Sequence, residues 1–595
     1  MVPSTQEMPS AWRDGRAPVR RRILVIGFGT IALVAMHLWI GRDASVPRRS
    51  GPGDQWGYLG NARYLADSGP TWVLPEFPYF GYGYSALLVP TFWLFDDPER
   101  MFFAIRVTNA MLLASVFPLL VVFCRRVLQV ARWPAVAGAL AGSLAPGAIA
   151  HSSLAVAENL VLPLVVIASL SCWALLTDRP AWQRLAFAPS IVALVVTHDR
   201  FVPAPAIMAA VLVVGVVRGL VPRRIAAVNA AMAAALLLGA SALRGRIVEA
   251  RWVDGIETPQ GPVSEAFEVL TSWSNLGDFV MEMVGQVWYV AAGTLGLGLI
   301  GLVSLSSQVG RTSLNVEADA RRFTIVFVLL SAVSVLLISS YFFYRAKNPS
   351  EGYIVGRHND SFVPIWAATG VAFLLGERVR RRVLNAALAC VGILVVLAAV
   401  LVLVRDRADW EWIYYSTFRA PAVYLYARTR IGVVPSATAV AVGMLLMIVA
   451  LVVARVRAGV LVPIACAWIV IMVASTIEVD QSFDDWELPE QFAEVDVTRA
   501  AVVHGRSYGM PKYYPYFLPD LEPVTWDGRG EPPETFVFFP IPGSDLERFG
   551  GRLILIDEGL PQPFGPAYSM GLWVMPGPEL DEYRRNGQLL PTPDG

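Results

Sequence analysis

Long runs of apolar residues recur along the first 476 residues of the chain and then stop. A helix needs roughly 17 to 25 apolar residues to cross the hydrocarbon core of a bilayer. About thirteen runs approach or meet this requirement, which predicts an α-helical polytopic membrane protein. The predicted spans are Ile23–Ile40, Met101–Phe123, Pro134–Ala150, Glu158–Leu176, Trp182–Val196, Val202–Val217, Ile225–Ser241, Val287–Leu305, Phe323–Phe343, Phe362–Leu375, Val383–Val404, Val434–Val453 and Val460–Thr476.

The composition supports the membrane class independently of these runs. Hydrophobic residues make up 55% of the chain and charged residues only 16%, with a mean hydropathy of +0.52. The net charge of zero is uninformative by itself, because the placement of charges along a membrane protein matters more than their sum, and nucleic acid is not an expected partner. The four cysteines lie in or beside apolar runs without CxxC spacing, so neither a disulfide framework nor a zinc site is indicated.

One further apolar run, Phe80–Phe95, decides the predicted orientation. If it crosses the membrane, every later loop changes side. If it is juxtamembrane or re-entrant, the arginine clusters all fall on one side, which the positive-inside rule identifies as cytoplasmic. These clusters are Arg20–Arg22, Arg125–Arg126, Arg223–Arg224, Arg321–Arg322, Arg380–Arg382 and Arg455 with Arg457. We therefore expect Asp54, Glu158, the His198–Arg200 turn and the C-terminal tail on the outer face.

The composition changes after Thr476, where proline, glycine and aromatic residues replace the apolar runs. Segments such as Thr535–Phe539 and Leu553–Ile556 have the pattern of short strands between turns. The sequence thus predicts three parts: a disordered cytoplasmic tail (1–22), a transmembrane domain (23–476) and an extracytoplasmic C-terminal domain (477–595) of α/β or mostly-β class.

The first outer loop, residues 41–100, carries the most informative pattern of the chain. A carboxylate is followed there by aromatic residues, alanine and leucine: Asp54, Trp56, Tyr58, Leu59, Ala62, Tyr64 and Leu65. A second aromatic segment, Pro78–Tyr84, follows, and Leu87, Leu88 and Pro90 come after it. These segments resemble the GT-C glycosyltransferases, membrane enzymes that use lipid-linked sugars. The resemblance extends to about Val217 and is nearest to the protein mannosyltransferase, aminoarabinose transferase and actinobacterial arabinosyl- and mannosyltransferase types.

The resemblance implies that Asp54 is the catalytic base. A carboxylate near Trp56, Tyr58 and Tyr64 at a membrane surface can be partly desolvated, which suits it to accept a hydroxyl proton. Without the resemblance, an ordinary turn aspartate after Gly51-Pro52-Gly53 would be the better interpretation. The tyrosines of both segments, Tyr58, Tyr82 and Tyr84, are predicted to line the lipid or acceptor groove.

Glu158 opens a predicted span, a position where GT-C enzymes often carry a second acidic residue. With Asp54 and His198 it could bind a divalent cation, Mg²⁺ or Mn²⁺, because oxygen ligands suit these ions. Two simpler interpretations remain open: Glu158 as an acidic residue favoured by the helix dipole, and the turn at His198-Asp199-Arg200 as a polar hairpin tip. Arg200 is a candidate to contact phosphate.

A later outer loop, Tyr353–Asp360, resembles the loops that hold the lipid phosphate in this superfamily. Arg357 is the predicted phosphate-binding residue, because a guanidinium binds two phosphate oxygens at once. His358 is a candidate for the groove or for the metal. An interfacial anchor is the alternative role for Arg357.

The predicted function is an inverting transfer of a sugar from a polyprenyl-phosphate donor to a hydroxyl of a cell-envelope glycan, lipid or protein. One base without a nucleophilic partner implies a single displacement and therefore inversion. The predicted partners are this donor, the acceptor and the lipid bilayer. A transporter or flippase of lipid-linked saccharides is the rival, although it would favour broken helices at mid-membrane and a repeat between the two halves.

Overall fold

The structure is a computed structural model. In the helical part it describes residues 19–42, 54–68, 80–251, 273–309, 316–345, 359–376 and 381–404, and in the C-terminal part residues 497–503, 522–526, 530–540, 544–557 and 570–591, with a few positions between them. The predicted tail 1–22 is described only from residue 19, and the spans Val434–Val453 and Val460–Thr476 lie almost wholly outside the described residues.

Helices dominate the part before residue 405. The first eight are α1 (Val19–Ile40), α2 (Asp54–Ala66), α3 (Tyr82–Leu94), α4 (Pro98–Arg126), α5 (Arg132–Ser143), α6 (Pro146–Ala150), α7 (Glu158–Leu176) and α8 (Ala181–Leu185). The next eight are α9 (Phe187–Thr197), α10 (Ala204–Val217), α11 (Arg223–Arg251), α12 (Trp273–Gly293), α13 (Leu297–Val309), α14 (Val316–Arg345), α15 (Val363–Leu375) and α16 (Arg381–Val404). A 3-10 turn, Asp199–Phe201, joins α9 to α10.

Five helical segments among the described residues are long and apolar enough to cross a membrane: Pro98–Arg126, Glu158–Leu176, Asp199–Val217, Arg223–Glu249 and Val316–Tyr341. Shorter apolar helices occupy Leu24–Ile40, Ala181–Thr197, Leu297–Val309, Val363–Leu375 and Arg382–Leu394. The chain is a multi-pass membrane protein, and this set does not confirm the predicted number of thirteen spans.

The predicted span Val287–Leu305 is wrong, because the chain breaks in its middle. Helix α12 ends at Gly293 and α13 begins at Leu297. Leu295 and Gly296 adopt positive φ angles of 49° and 77°, and only glycine adopts that conformation without strain. The Thr294 hydroxyl then accepts a hydrogen bond from the Gly298 amide at 2.9 Å, which helps to begin the second helix. Hydropathy averaged over a window does not detect such a turn.

The apolar run Phe80–Phe95 forms helix α3, which has 13 residues. At 1.5 Å per residue it is about 20 Å long, shorter than the ~30 Å hydrocarbon core. The chain turns immediately after it, where the Asp97 carboxylate accepts a hydrogen bond from the Arg100 amide at 2.9 Å and α4 begins at Pro98. This length favours the juxtamembrane or re-entrant interpretation of the run.

Close helix contacts in the bundle depend on small residues. Gly138 and Gly142 of α5 face the Ala368 and Pro364 carbonyls of α15, and Gly301 of α13 faces the Trp366 carbonyl. A Cβ atom at any of these glycines would collide with backbone atoms. Small residues permit such approaches where apolar surfaces give helices little drive to associate in lipid.

The C-terminal part contains a mixed sheet of five strands, where the sequence predicted an α/β or mostly-β domain. Its strands are β3 (Arg499–Val503), β4 (Glu522–Trp526), β5 (Phe536–Pro540), β6 (Arg552–Asp557) and β7 (Met570–Val574), after a two-residue pair β1 (Arg428–Thr429) and β2 (Gly432–Val433). The strand order is β4-β3-β5-β7-β6. Strand β3 is parallel to β4 and β5, whereas β7 is antiparallel to β5 and β6. Two short helices, α17 (Ser544–Glu547) and α18 (Pro578–Arg585), accompany the sheet.

The two faces of this sheet are both covered, but by different parts of the molecule. Val537 and Trp573 point to one face, where they pack in a cluster with Leu546 of α17. The alternate residues, such as Phe538 and Leu572, belong to a cluster that also contains the buried residues of α2 and α3. Because side chains alternate along a strand, one face of the sheet lies against the helices that follow Asp54.

Candidate functional site

Asp54 lies in the first turn of α2 and is partly exposed. Tyr58 follows it one helical turn later, so the two side chains share one face of the helix. The rest of α2 is largely buried, including Gln55, Trp56, Tyr58, Leu59 and Asn61. The helix therefore holds Asp54 on a packed element rather than on a loose loop.

Aromatic contacts and hydrogen bonds hold helix α2 against α3 and against Phe80, which precedes α3. The rings of Tyr58 and Phe80 meet edge to face with centroids 5.2 Å apart, and Gly57 leaves room for the Phe80 ring. The Ser85 hydroxyl donates to the Tyr58 carbonyl at 2.8 Å, and the Asn61 amide donates to the Phe80 carbonyl at 3.2 Å. Both aromatic segments identified in the sequence are thus brought together.

Tyr84 connects α3 to the interior of the bundle. Its ring contacts that of Tyr58 at 5.8 Å, and its hydroxyl donates to Asn109 Oδ1 at 2.7 Å. Asn109 in turn donates to the Leu154 carbonyl at 2.9 Å. Burial is the main cause that raises the pKa of Tyr84, and the nearby Glu158 carboxylate raises it further. The phenol therefore remains a protonated donor, and it lies close to the second predicted acidic residue.

Glu158 and Arg200 form a buried ion pair. The Arg200 guanidinium donates to Glu158 Oε1 at 3.1 Å, with the two side chains 2% and 0% exposed. The same guanidinium lies 2.5 Å from Nε2 of His198. The backbone amide of Arg200 also lies 3.4 Å from Nδ1 of the same ring. The sequence predicted all three residues as site residues but did not predict that they contact one another.

A second ion pair lies on the neighbouring residue of the same turn. The Arg244 guanidinium binds both carboxylate oxygens of Asp199, each at 2.8 Å. One turn earlier on α11, the Ala240 carbonyl accepts a hydrogen bond from the Tyr82 hydroxyl at 2.7 Å. Burial raises the pKa of Tyr82, and the charge of Arg244 partly offsets that effect. The groove candidate Tyr82 thus lies beside the His198–Phe201 turn.

Arg244 was not predicted as a site residue, although its position differs from that of most arginines in the chain. Arginines predominate at the opposite ends of the predicted spans, and Arg244 follows the apolar run of α11 at the end that carries the site. A cation at that end departs from the positive-inside pattern. Arg246 and Arg251 follow in the same segment, so this departure does not by itself single out Arg244.

A further group of polar side chains lies near Phe362. The Phe362 ring is 6.3 Å from that of Phe201. The Asn359 amide donates to Gln286 Oε1 at 2.6 Å, and the Tyr289 hydroxyl donates to Asp360 Oδ2 at 3.3 Å. Gln286 also had no place in the sequence analysis. The predicted phosphate-binding Arg357 and the groove candidate His358 lie outside the described residues.

The predicted metal ligands do not form a three-ligand site. No group of three or more histidine, cysteine, aspartate or glutamate side chains in the described part of the chain is arranged to hold a metal ion. Asp54, Glu158 and His198 all belong to that part. One Glu158 oxygen instead accepts from Arg200, and Nε2 of His198 faces the same guanidinium. Glu158 and His198 therefore both contact the Arg200 side chain.

Comparison with known proteins gives structural matches only. No protein-family model matches the sequence, and no curated protein matches it. The crystal structure of ArnT from Cupriavidus metallidurans bound to undecaprenyl phosphate is similar at a TM-score of 0.50 and 13% sequence identity, over 93% of this chain and 98% of that chain. The apo structure of the same protein gives a TM-score of 0.49 and 15% identity over the same shares.

The apo oligosaccharyltransferase of Archaeoglobus fulgidus is more distant, with a TM-score of 0.40 and 12% identity over 86% of this chain and 65% of that chain. ArnT, an aminoarabinose transferase, and the oligosaccharyltransferase are both GT-C glycosyltransferases. The fold predicted from the Asp54 segment is confirmed by the likeness to lipid-bound ArnT, which extends over nearly the whole of both chains. This chain has the GT-C fold.

Proposed function

We propose that this protein is an inverting glycosyltransferase that moves a sugar from a polyprenyl-phosphate donor to a hydroxyl group of a cell-envelope acceptor. The observation that carries the proposal is the position of Asp54. It lies on a packed helix whose Tyr58 contacts Tyr84, and the charge of the Glu158 carboxylate, which pairs with Arg200, acts on the Tyr84 phenol. The fold adds support, since ArnT is similar over nearly its whole length and was crystallised with undecaprenyl phosphate.

In the proposed reaction Asp54 accepts the proton of the acceptor hydroxyl. The hydroxyl oxygen attacks the anomeric carbon as the bond from that carbon to the donor phosphate oxygen breaks. The products are the glycosylated acceptor, polyprenyl phosphate and protonated Asp54. A positioned base typically contributes 10²–10⁴-fold to such a step. Because one displacement exchanges the two oxygens on opposite sides of the carbon, the anomeric configuration inverts.

Positive charge must stabilise the departing phosphate, and in preorganised sites this is often the largest contribution. Arg357 is the predicted residue for this contact. Arg200 is buried and contacts Glu158 and His198, so its proposed contribution is a fixed charge near the site rather than a mobile phosphate ligand. A divalent cation stays a prediction, and no step is assigned to it.

The proposed site faces the outside of the cell membrane. In the structure, Gln129 after α4 contacts Glu317 at the start of α14 at 3.4 Å, which places these two ends together. Arg125 and Arg126 end α4 at this end of the bundle, and α14 carries Arg321 and Arg322 in its first turns. The Glu158–Arg200 pair lies at the other ends of α7 and α9. The positive-inside rule then supports a cytoplasmic arginine end and an outward site.

The test is release of polyprenyl phosphate from a panel of polyprenyl-phosphate sugars, with an acceptor extract present. Purified Asp54→Asn should lose at least about a hundredfold in rate, the lower range for a general base. Asp67→Asn is the matched control: Asp67 is exposed after the end of the same helix at φ 53°, a conformation that asparagine tolerates.

Two results would contradict the proposal. Wild-type rates in Asp54→Asn would show that Asp54 is not the base. A product with retained anomeric configuration would show that the reaction is not a single displacement. Absence of release from every donor, with wild-type protein intact, would favour the transporter alternative.

A further inference from the structure

The two ion pairs of the His198–Phe201 turn differ in how exposed their side chains are. Arg200 and Glu158 are 2% and 0% exposed, whereas Arg244 and Asp199 are 35% and 40% exposed. A buried guanidinium cannot leave its carboxylate without exposing an uncompensated charge to the protein interior. A partly exposed pair loses less when it opens than a fully buried pair does.

We propose that Arg244 binds the phosphate group of the lipid-linked donor by exchanging the Asp199 carboxylate for it. This inference rests on the proposed function, since it assigns a binding residue for the donor of that reaction. Asp199 is then the internal competitor of the substrate, and it holds the guanidinium in position while the donor is absent.

The contact that Arg244 already makes has the geometry that a phosphate needs. Two nitrogens of its planar fork reach two oxygens of one anion, each at 2.8 Å. Phosphate presents pairs of oxygens to the same fork, and arginine binds both anions in this two-point manner. The fork is therefore arranged for an anion before the donor arrives.

The position of Arg244 places this fork at the proposed site. Ala240 and Arg244 are one helical turn apart and share a face of α11. Ala240 binds the Tyr82 hydroxyl at the start of α3, and the charge of Arg244 acts on the same phenol. Gly81 and Gly83, on either side of Tyr82, pack against Thr197 at the end of α9. Arg244 thus lies between α3 and the turn that carries Arg200.

An exchange makes a prediction that a structural ion pair does not make. If Arg244 must leave Asp199 to bind the donor, removing the arginine weakens binding and removing the aspartate strengthens it. If the pair only holds α11 to the turn, either substitution disrupts the same contact. Both substitutions would then weaken binding to a similar extent.

The experiment measures the dissociation constant of undecaprenyl phosphate for the purified full-length protein, by titration in nanodiscs with intrinsic tryptophan fluorescence. Arg244→Gln should weaken binding about tenfold or more, the loss expected for hydrogen bonds between charged groups. Asp199→Asn should tighten binding about two- to fivefold, since a half-exposed competitor is removed. The double variant should resemble Arg244→Gln. Arg246→Gln is the matched control, because Arg246 is exposed on the same helix.

Undecaprenol, which lacks the phosphate, should bind wild type and Arg244→Gln equally. The inference is overturned if both single variants weaken lipid-phosphate binding alike, if Arg244→Gln binds as wild type does, or if wild type does not bind the lipid. Inorganic phosphate should displace the lipid only at far higher concentration, and equal potency would assign Arg244 to a free anion instead.

This binding measurement is independent of sugar transfer. If Arg244→Gln weakens lipid binding but Asp54→Asn releases polyprenyl phosphate at the wild-type rate, the proposed reaction is contradicted and the phosphate site is supported. If Arg244→Gln binds the lipid as wild type does but Asp54→Asn loses activity, the proposed reaction is supported and the role of Arg244 is contradicted.

Discussion

The adjacent residues Asp199 and Arg200 make ion pairs of the same chemical kind with opposite consequences. Arg200 points inward to a carboxylate that solvent does not reach, and Asp199 points to an arginine at a partly exposed mouth. Burial makes the first contact costly to break and the second easy to exchange. The comparison shows how one short turn can combine a rigid support with a contact that a substrate could replace.

The largest expected effect is the loss of the buried carboxylate. Glu158→Ala leaves the Arg200 guanidinium without its anionic partner in the protein interior and should destabilise the protein by about 3–5 kcal/mol. Thermal unfolding of the purified protein in detergent measures this. Replacing both residues, as in Glu158→Ala with Arg200→Met, should recover most of the loss, because no isolated charge remains. An unchanged melting temperature in Glu158→Ala would contradict the buried pair.

A smaller loss of stability is expected when the Tyr84 hydroxyl is removed. Tyr84→Phe removes the hydroxyl that donates to Asn109 and leaves a buried acceptor with one donor fewer, at a cost of about 1–3 kcal/mol. Tyr82→Phe loses the corresponding hydrogen bond to Ala240. Tyr82 is less deeply buried than Tyr84, so its variant should lose less stability. Equal losses of stability in the two variants would show that burial does not separate them.

The exposed pair should contribute little to stability. Asp199→Asn and Arg244→Gln are each expected to change the free energy of unfolding by about 1 kcal/mol or less. Salt separates the two pairs further, since it screens exposed charges and reaches buried ones much less. Raising the sodium chloride concentration should reduce the difference in melting temperature between wild type and Asp199→Asn. The effect of Glu158→Ala should persist, and a parallel decline of both effects would contradict the comparison.

The smallest effect is expected on the C-terminal helix α18. Arg584 and Asp581 form a pair at 3.0 Å with side chains 59% and 69% exposed. Asp581→Asn should change stability by about 0.5 kcal/mol or less, the range of exposed helix pairs. A loss as large as that of Asp199→Asn would mean that exposure does not rank these ion pairs.

Several parts of the fold were predictable because they depend on local sequence. Apolar runs such as Glu158–Leu176 form helices in the structure, since their hydropathy and length require it. The strand pattern at Leu553–Ile556 is confirmed within β6. The break at Leu295 and Gly296 was not predicted, because two backbone angles decide it and the average hydropathy of the run does not change.

The candidate site divides in the same way. Asp54 was selected from the resemblance to the GT-C glycosyltransferases, and Glu158, His198 and Arg200 from their residue types at the ends of predicted spans. The sequence could not show that Arg200 turns to Glu158, or that Arg244 reaches Asp199 over 45 residues of chain. Arg357 and the metal site stay predictions.

The sequence by itself indicated a multi-pass membrane protein, since hydropathy is a local property, and the Asp54 segment carried a resemblance to the GT-C glycosyltransferases. The likeness to a solved structure then showed the fold. Only the tertiary structure decided which charges are buried together and which remain at the mouth. The reason is physical: the strength of an ion pair depends on the solvent around it, and helices distant in the chain determine that solvent access.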